Sequence, residues 1–238
     1  MKRSIYFRLI PAYFIVLGML ITSGIIGNMA ISSFAEKGTF YGKYTVVIDP
    51  GHGGIDGGAV SCTGVYESVI NLEIASKLND LFHLLGIRTL MTREEDISIH
   101  TSGNSISEKK ISDLKQRVKI VNNTSNAVLI SIHQNYFPER VYSGPQVFYA
   151  NTDGSLELAA QLQTALNTSL APSSRRKEKA AKDIYLMEKV RSCAILVECG
   201  FISNYDEEQK LKSDYYQKKI ASVMATSVIK YLNISPLS

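Results

Sequence analysis

Hydrophobic and polar positions alternate along the chain in blocks that predict strands and helices in turn. Tyr44–Asp49 is a short run of apolar, mostly β-branched residues, which predicts a buried strand. Glu67–Leu85 has apolar residues three and four positions apart, the spacing of an amphipathic helix, and Gly86 follows as a typical helix end. This part of the chain therefore predicts a strand followed by a helix.

The same alternation continues to the end of the chain. Strands that alternate with helices are typical of an α/β fold with a largely parallel twisted sheet and helices on both faces. Ligands of such folds bind outside the carboxyl ends of the strands. The other predicted strands are Ile87–Thr92, Ala127–Ile132, Gln146–Ala150 and Ala194–Glu198, the helices are Ile111–Val121, Leu156–Leu170 and Tyr215–Leu232, and the loops are Glu94–Ser107 and the basic Pro172–Lys182.

The first 35 residues have a different pattern. Three bases, Lys2, Arg3 and Arg8, precede an uncharged apolar run over residues 9–31, as in a secretory signal. Ser33 and Ala35 offer a small-x-small cleavage site, but the run is also long enough to span a bilayer, which takes about 20 residues. The sequence thus predicts a signal peptide or N-terminal membrane anchor over residues 1–35, and an exported domain over residues 36–238.

Charge excludes one class of partner. The chain has 26 bases and 22 acids, and three of those bases but none of the acids lie in residues 1–35. The remainder is close to neutral, with 23 bases against 22 acids. A nucleic-acid-binding domain has a basic stripe on its folded surface. We therefore expect no nucleic-acid partner.

The cysteines do not predict a disulfide framework. There are three, Cys62, Cys193 and Cys199, which is an odd number. Cys193 and Cys199 bracket a predicted strand, and six residues of strand span about 20 Å. A disulfide requires Cα atoms within about 7 Å, so these two are not expected to pair.

Four side chains suited to metal or proton chemistry fall at the predicted strand ends. His52 follows the first strand, His133 follows Ala127–Ile132, Glu198 ends the last strand, and Glu67 begins a helix. Two imidazoles and a carboxylate are a common ligand set for catalytic zinc, and a second carboxylate can move a proton. Each also has an ordinary structural alternative: a solvated or core histidine, a glutamate on a helix dipole, or a paired buried acid.

The segment around His52 is rich in glycine. A ligand on a strand-to-helix turn needs a backbone that bends sharply, which Gly51, Gly53 and Gly54 allow. The segment contains neither a P-loop nor a G-x-G-x-x-G motif, so phosphate binding is the weaker interpretation.

Four motifs carry a resemblance to a known family. DPGHGG, the ExxxNLEIA pattern of Glu67–Ala75, SIHQN and VECGFISN occur in this order between Tyr44 and Leu232. Together they resemble the zinc-dependent N-acetylmuramoyl-L-alanine amidases. SGPQVFYA and RRKEKAAKDIYLM are most similar to the CwlD-type, spore-cortex (germination-specific) amidases.

The resemblance implies a site and a role. It implies one zinc ion on His52, Glu67 and His133, with Glu198 as the catalytic acid and base. Asn71 falls on a family position, and Asp113, Arg117 and Asn122 resemble a family helix in which we expect Arg117 to be structural, while Asp113 could equally form a surface ion pair. Gln134 and Cys199 depart from the usual residues, but neither replaces a ligand.

The resemblance also implies partners and leaves rivals open. The substrate would be peptidoglycan, a separate deacetylase would act next to form the muramic lactam of spore cortex, and an activating protein could be required. The alternatives are a zinc carboxypeptidase, which needs an arginine such as Arg175 or Arg176 to bind a terminal carboxylate, and a partner-dependent wall-binding protein. His83 and His100 rank lowest as ligands, and the ligand types also suit Mn or Co.

Overall fold

The computed structural model describes residues 43–234, so the predicted signal peptide or anchor, residues 1–35, lies outside the described residues. Strands and helices alternate along most of this region, as the hydrophobic pattern predicts. The strands are β1 (Thr45–Pro50), β2 (Thr89–Met91), β3 (Ala127–Asn135), β4 (Gln146–Tyr149), β5 (Lys179–Ala180) and β6 (Cys193–Phe201), and the helices are α1 (Glu67–Leu84), α2 (Ile106–Asn123), α3 (Ser155–Leu170), α4 (Tyr185–Lys189), α5 (Tyr205–Leu211) and α6 (Asp214–Ile234).

The strands form one six-stranded sheet in the order β2-β1-β3-β6-β4-β5. The central strands β1, β3 and β6 are parallel to one another, and β2 is parallel to β1. The predicted, largely parallel α/β fold is therefore confirmed. One difference is the direction of β4, which runs antiparallel to β6, because apolar patterning records burial and not strand direction.

Helices cover both faces of the sheet, and side chains on β3 show which face each helix covers. Leu129 packs in a buried cluster with Val121 of α2 and Leu186 of α4. Gln134 points the other way and donates a hydrogen bond from Nε2 to Asn71 of α1, 3.1 Å away. Because successive strand residues face opposite sides, Ser131 and His133 share the α2 and α4 face with Leu129. On the opposite face, α6 packs against both α1 and α3.

Several element ends differ from the pattern-based prediction. Helix α2 begins at Ile106 instead of Ile111, since Ser105 and Glu108 form a capping box that supports an extra turn. Strands β3 and β6 continue beyond Ile132 and Glu198, which places His133 and Glu198 inside the paired sheet. The short helices α4 and α5 were not predicted, and the predicted basic loop contains β5.

Two further expectations concern export and cysteine chemistry. Within residues 43–234, none of the helices combines the length and the apolar content needed to cross a bilayer.

Cys62, Cys193 and Cys199 are all free thiols. Burial raises the pKa of the Cys193 thiol to about 11 and that of Cys199 further still, so both are held as neutral groups.

Candidate metal centre and active site

The sheet brings the four predicted site residues to one edge. His52 lies two residues beyond β1, and Glu67 is the first residue of α1. His133 and Glu198 are direct partners in the parallel register of β3 and β6. Residues far apart in sequence therefore meet because the carboxyl ends of neighbouring parallel strands lie side by side.

His52, Glu67 and His133 form a cluster that could hold a metal ion, because one ligand atom from each lies within 4.8 Å of the others. The Nε2 atom of His52 is 3.3 Å from Oε2 of Glu67. The Nδ1 atom of His133 is 2.9 Å from Oε1 of Glu67. The two imidazole rings meet edge to face, with centroids 5.0 Å apart. The Glu67 carboxylate thus sits between two nitrogen donors.

Glu67 is held as an anion. The backbone N–H groups of Ala59 and Gln134 donate to its two oxygens, each at 3.0 Å, and Asn71 donates to Oε1 at 3.3 Å. Burial alone would raise the pKa of Glu67, but the two histidines outweigh it and hold the pKa well below its usual range. Asp56 and Glu67 raise the pKa of His52 to about 9 despite its burial.

Glu198 has the opposite surroundings. Its Oε2 atom is shielded from solvent and has no hydrogen-bond partner. Burial raises the pKa of this carboxyl to about 7, against the weaker opposing effect of His133. A carboxyl with a pKa near neutrality can both accept and release a proton under physiological conditions.

A buried ion-pair network supports the strand end that carries His52. Arg117, which is 2% exposed, lies 2.5 Å from both Asp49 and Asp113 and donates to the carbonyl oxygen of His52 at 2.7 Å. Asp49 also accepts hydrogen bonds from Thr92 and Ser131. Arg117 is structural, as expected, but Asp113 is buried, so its pair with Arg117 is not a surface ion pair.

A second arginine was not anticipated from the sequence. Arg93 is buried and donates to the backbone carbonyl oxygens of Pro50, Gly51 and Ser68. It therefore ties the turn after β1 to the start of α1. Asn71, on a predicted family position, adds a bond from its Nδ2 to the Gly51 carbonyl oxygen at 3.2 Å.

Two glycines leave room for the cluster. A Cβ atom on Gly51 would lie 2.2 Å from the ring of His133, and a Cβ on Gly58 would lie 2.6 Å from Oε2 of Glu67. Gly58 also has a φ of 70°, in the left-handed region. Among the three glycines predicted to allow the bend, Gly51 contributes by close approach, and Gly53 and Gly54 adopt φ angles of 134° and 58°. His52 itself adopts a φ of 62°.

Other residues singled out in the sequence lie elsewhere. His83 and His100 contact Thr89 and Ser98 and are not part of the cluster. Asn122 joins α2 to the end of α4 and the segment after it, through bonds to the backbone of Lys189 and Arg191. Cys199 faces away from Glu198, is fully buried and is no candidate nucleophile.

A groove of about 310 Å³ opens beside the cluster on the α2 and α4 face. Besides His52, His133 and Glu198, the groove is lined by Asp56, Lys110 and Tyr185, which were not predicted from the sequence. The signal for Asp56 was present, since it is the acidic residue of the glycine-rich segment four positions after His52. Lys110 and Tyr185 reach the groove only through tertiary packing.

Comparisons with known proteins identify the family of this chain. The N-acetylmuramoyl-L-alanine amidase family matches residues 46–230. The germination-specific N-acetylmuramoyl-L-alanine amidase of Bacillus subtilis (strain 168) is 37% identical over 188 residues, 78% of each chain. A CwlD amidase from Clostridioides difficile, solved in complex with the GerS lipoprotein, is 35% identical and covers 80% of this chain and 99% of its own, with a TM-score of 0.76. The catalytic domain of CwlV from Bacillus (Paenibacillus) polymyxa var. colistinus is 26% identical, covers 81% and 99%, and has a TM-score of 0.64. The chain belongs to the N-acetylmuramoyl-L-alanine amidase family.

Proposed function

We propose that the protein hydrolyses the amide bond between N-acetylmuramic acid and L-alanine in peptidoglycan, using one zinc ion held by His52, Glu67 and His133, with Glu198 as the catalytic acid and base. The observation that carries this proposal is the cluster of three ligand atoms within 4.8 Å of one another, next to a carboxylate whose Oε2 has no partner. Membership of the amidase family supplies the substrate class.

The donor set suits zinc. Two imidazole nitrogens and a carboxylate oxygen are typical of catalytic zinc sites, which keep a position open for water. When bound, zinc lowers the pKa of a coordinated water to about 7 and polarises a carbonyl group. Without a metal ion, the negative charge of Glu67 is balanced by His52, whose raised pKa favours the protonated imidazole. A divalent cation would therefore enter a site already built around the Glu67 anion.

Glu198 is the residue of this chain that transfers protons. Glu198 takes a proton from the attacking water, because its carboxylate has an unpartnered oxygen and a pKa raised to about 7. It returns that proton to the nitrogen of L-alanine, since an amide nitrogen leaves poorly unless it is protonated. Arg117 and Arg93 hold the backbone around His52 and do not take part in the chemistry.

The proposal extends to cellular context. The Bacillus subtilis relative is named germination-specific, which supports a role in spore cortex, where a deacetylase would act after this enzyme to form muramic lactam. The solved CwlD complex with a lipoprotein supports an activating protein partner. Residues 1–35 would export the catalytic domain, residues 36–238, to the extracytoplasmic face where peptidoglycan lies, either as a cleaved signal peptide or as a membrane anchor.

The carboxypeptidase alternative needs an arginine that binds a terminal carboxylate. Arg176 instead lies over the ring of Phe201, 5.1 Å from its centroid, and donates to the carbonyl oxygen of Ser143. Arg117 faces the groove but is engaged by Asp49 and Asp113. Neither Arg175 nor Arg176 lines the groove beside the cluster, and this arrangement favours the amidase.

The test is mass spectrometry of purified peptidoglycan treated with the purified protein, with and without a chelator. We expect intact stem peptides that carry a free L-alanine amine, and we expect their release to stop on chelation and resume when zinc is restored. Release of single C-terminal amino acids would support the carboxypeptidase. If no product forms until a partner lipoprotein is added, the partner is required for activity.

A further inference from the structure

The two histidines of the cluster both pack against glycines, but the groups that face their ring nitrogens differ. One edge of the His133 ring faces Glu67, and the ring packs against Gly51, where a Cβ atom would lie 2.2 Å from it. The His52 ring packs against Gly58, where a Cβ atom would lie 2.8 Å from its Cδ2, and a φ of 62° places His52 on a turn that few residues other than glycine adopt. Packing limits the position of both rings, and His52 has a second carboxylate beside it.

Asp56 supplies a contact to the far side of the His52 ring. Oδ2 of Asp56 lies 2.9 Å from Nδ1 of His52, while Nε2 of His52 faces Glu67. A carboxylate can only accept a hydrogen bond, so Nδ1 carries the hydrogen in this pair. The lone pair of a neutral ring is then on Nε2, the atom that faces the cluster.

Asp56 is itself fixed from two directions. Its backbone exchanges hydrogen bonds with Gly53, at 2.7 and 3.2 Å, which closes the turn after His52. The Nζ atom of Lys110, on α2, lies 2.7 Å from Oδ1 of Asp56. With Oδ1 held by Lys110, Oδ2 is left for the imidazole.

We propose that Asp56, held by Lys110, is a positioning residue that sets the orientation and tautomer of His52 so that Nε2 binds the metal ion. This inference rests on the metal site of the proposed function. Carboxylates that accept from a metal-binding histidine commonly change metal affinity or activity by about 10–100-fold when removed. We expect the effect of Lys110 to be smaller, because it acts through Asp56.

The experiment measures zinc affinity of the full chain by competition with a chromophoric chelator. We expect Asp56→Ala to weaken zinc binding about 10–100-fold. Asp56→Asn should lose less, since its amide oxygen can still accept from Nδ1, and Lys110→Met should lose less again. The matched controls are Asp80→Asn and Lys115→Met, two exposed residues outside the groove, which should bind zinc as the unaltered chain does.

A second readout separates orientation from folding. The visible absorption of the Co²⁺-loaded protein reports on the geometry around the ion, and we expect Asp56→Ala to change it while far-ultraviolet circular dichroism stays the same. If Asp56→Ala does not fold, Asp56→Asn decides the matter by the same two measurements. Zinc affinity and cobalt spectra equal to those of the controls would overturn the role of Asp56. Failure of the unaltered chain to bind zinc would instead overturn the proposed function.

Discussion

Two carboxyl groups at the same edge of the sheet, Glu67 within the cluster and Glu198 beside His133, meet opposite surroundings. Glu67 receives hydrogen bonds from two backbone N–H groups and an amide and faces two imidazoles. The Oε2 atom of Glu198 receives none. Burial opposes charge on both, but only Glu67 is compensated, so the pKa of Glu67 falls and that of Glu198 rises to about 7. One group is thereby suited to bind a cation and the other to carry a proton.

A Glu→Gln substitution is expected to have its largest effect at Glu67 and a smaller one at Glu198. We expect Glu67→Gln to lose zinc and, with it, activity down to the level of the chelated protein. The amide removes the anionic ligand and places an NH₂ group against N–H donors that now point at oxygen. Zinc content after dialysis and release of stem peptides measure the effect. Full zinc occupancy in this variant would contradict the assignment of Glu67 as a ligand.

Glu198→Gln should leave zinc in place and remove the proton carrier. We expect the turnover rate to fall about 10²–10⁴-fold, the usual contribution of general acid–base catalysis. Steady-state assays on peptidoglycan, with metal analysis of the same sample, measure both quantities. A zinc-loaded variant with unaltered turnover would rule out Glu198 as the catalytic acid and base.

Arg117→Met would remove the positive charge that pairs with the buried Asp49. Asp49 is 1% exposed, and burial alone would raise the pKa of its carboxyl. The positive charge of Arg117 opposes that effect and helps hold the pKa of Asp49 below its usual value. Removing one partner of a buried ion pair costs about 3–5 kcal/mol in the free energy of unfolding. Urea denaturation measures this change. The control, Arg88→Met on the surface, should stay within about 0.5 kcal/mol.

The smallest effect concerns pH. In metal-free protein the raised pKa of Glu198 adds stability below the ordinary carboxyl pKa, and this contribution is lost as pH rises from about 4.5 to about 7. Between these values the free energy of unfolding of the unaltered chain should therefore fall relative to Glu198→Gln. Urea denaturation in chelator at several pH values measures the difference. Parallel profiles would mean that the Glu198 pKa is not raised in the folded chain.

Sequence patterning located the proposed ligands more completely than the groups that support them. His52, Glu67 and His133 fall at strand and helix ends, where hydrophobic patterning locates them. Asp113 and Arg117 are four residues apart on a helix, but their burial depends on Asp49, which lies 68 residues before Arg117. Patterning along one element carries no information about such a distant partner.

The same limit applied to parts of the fold. Helices α4 and α5 have five and seven residues, too few to complete the apolar spacing of a helix. The antiparallel direction of β4 is set by its pairing with β6. A four-residue apolar run predicts a strand but does not predict the direction in which it pairs. Helices α1 and α3, which have long periodic faces, were predicted to within one residue at each end.

The two outermost strands have a consequence for handling the protein. β2 has three residues, and β5 has two, one of which is the exposed Lys179. A backbone edge this short, with a charge on one side, offers little template for another chain to extend the sheet. The short strands at the two edges of the sheet would therefore limit fibril-like aggregation in concentrated solution.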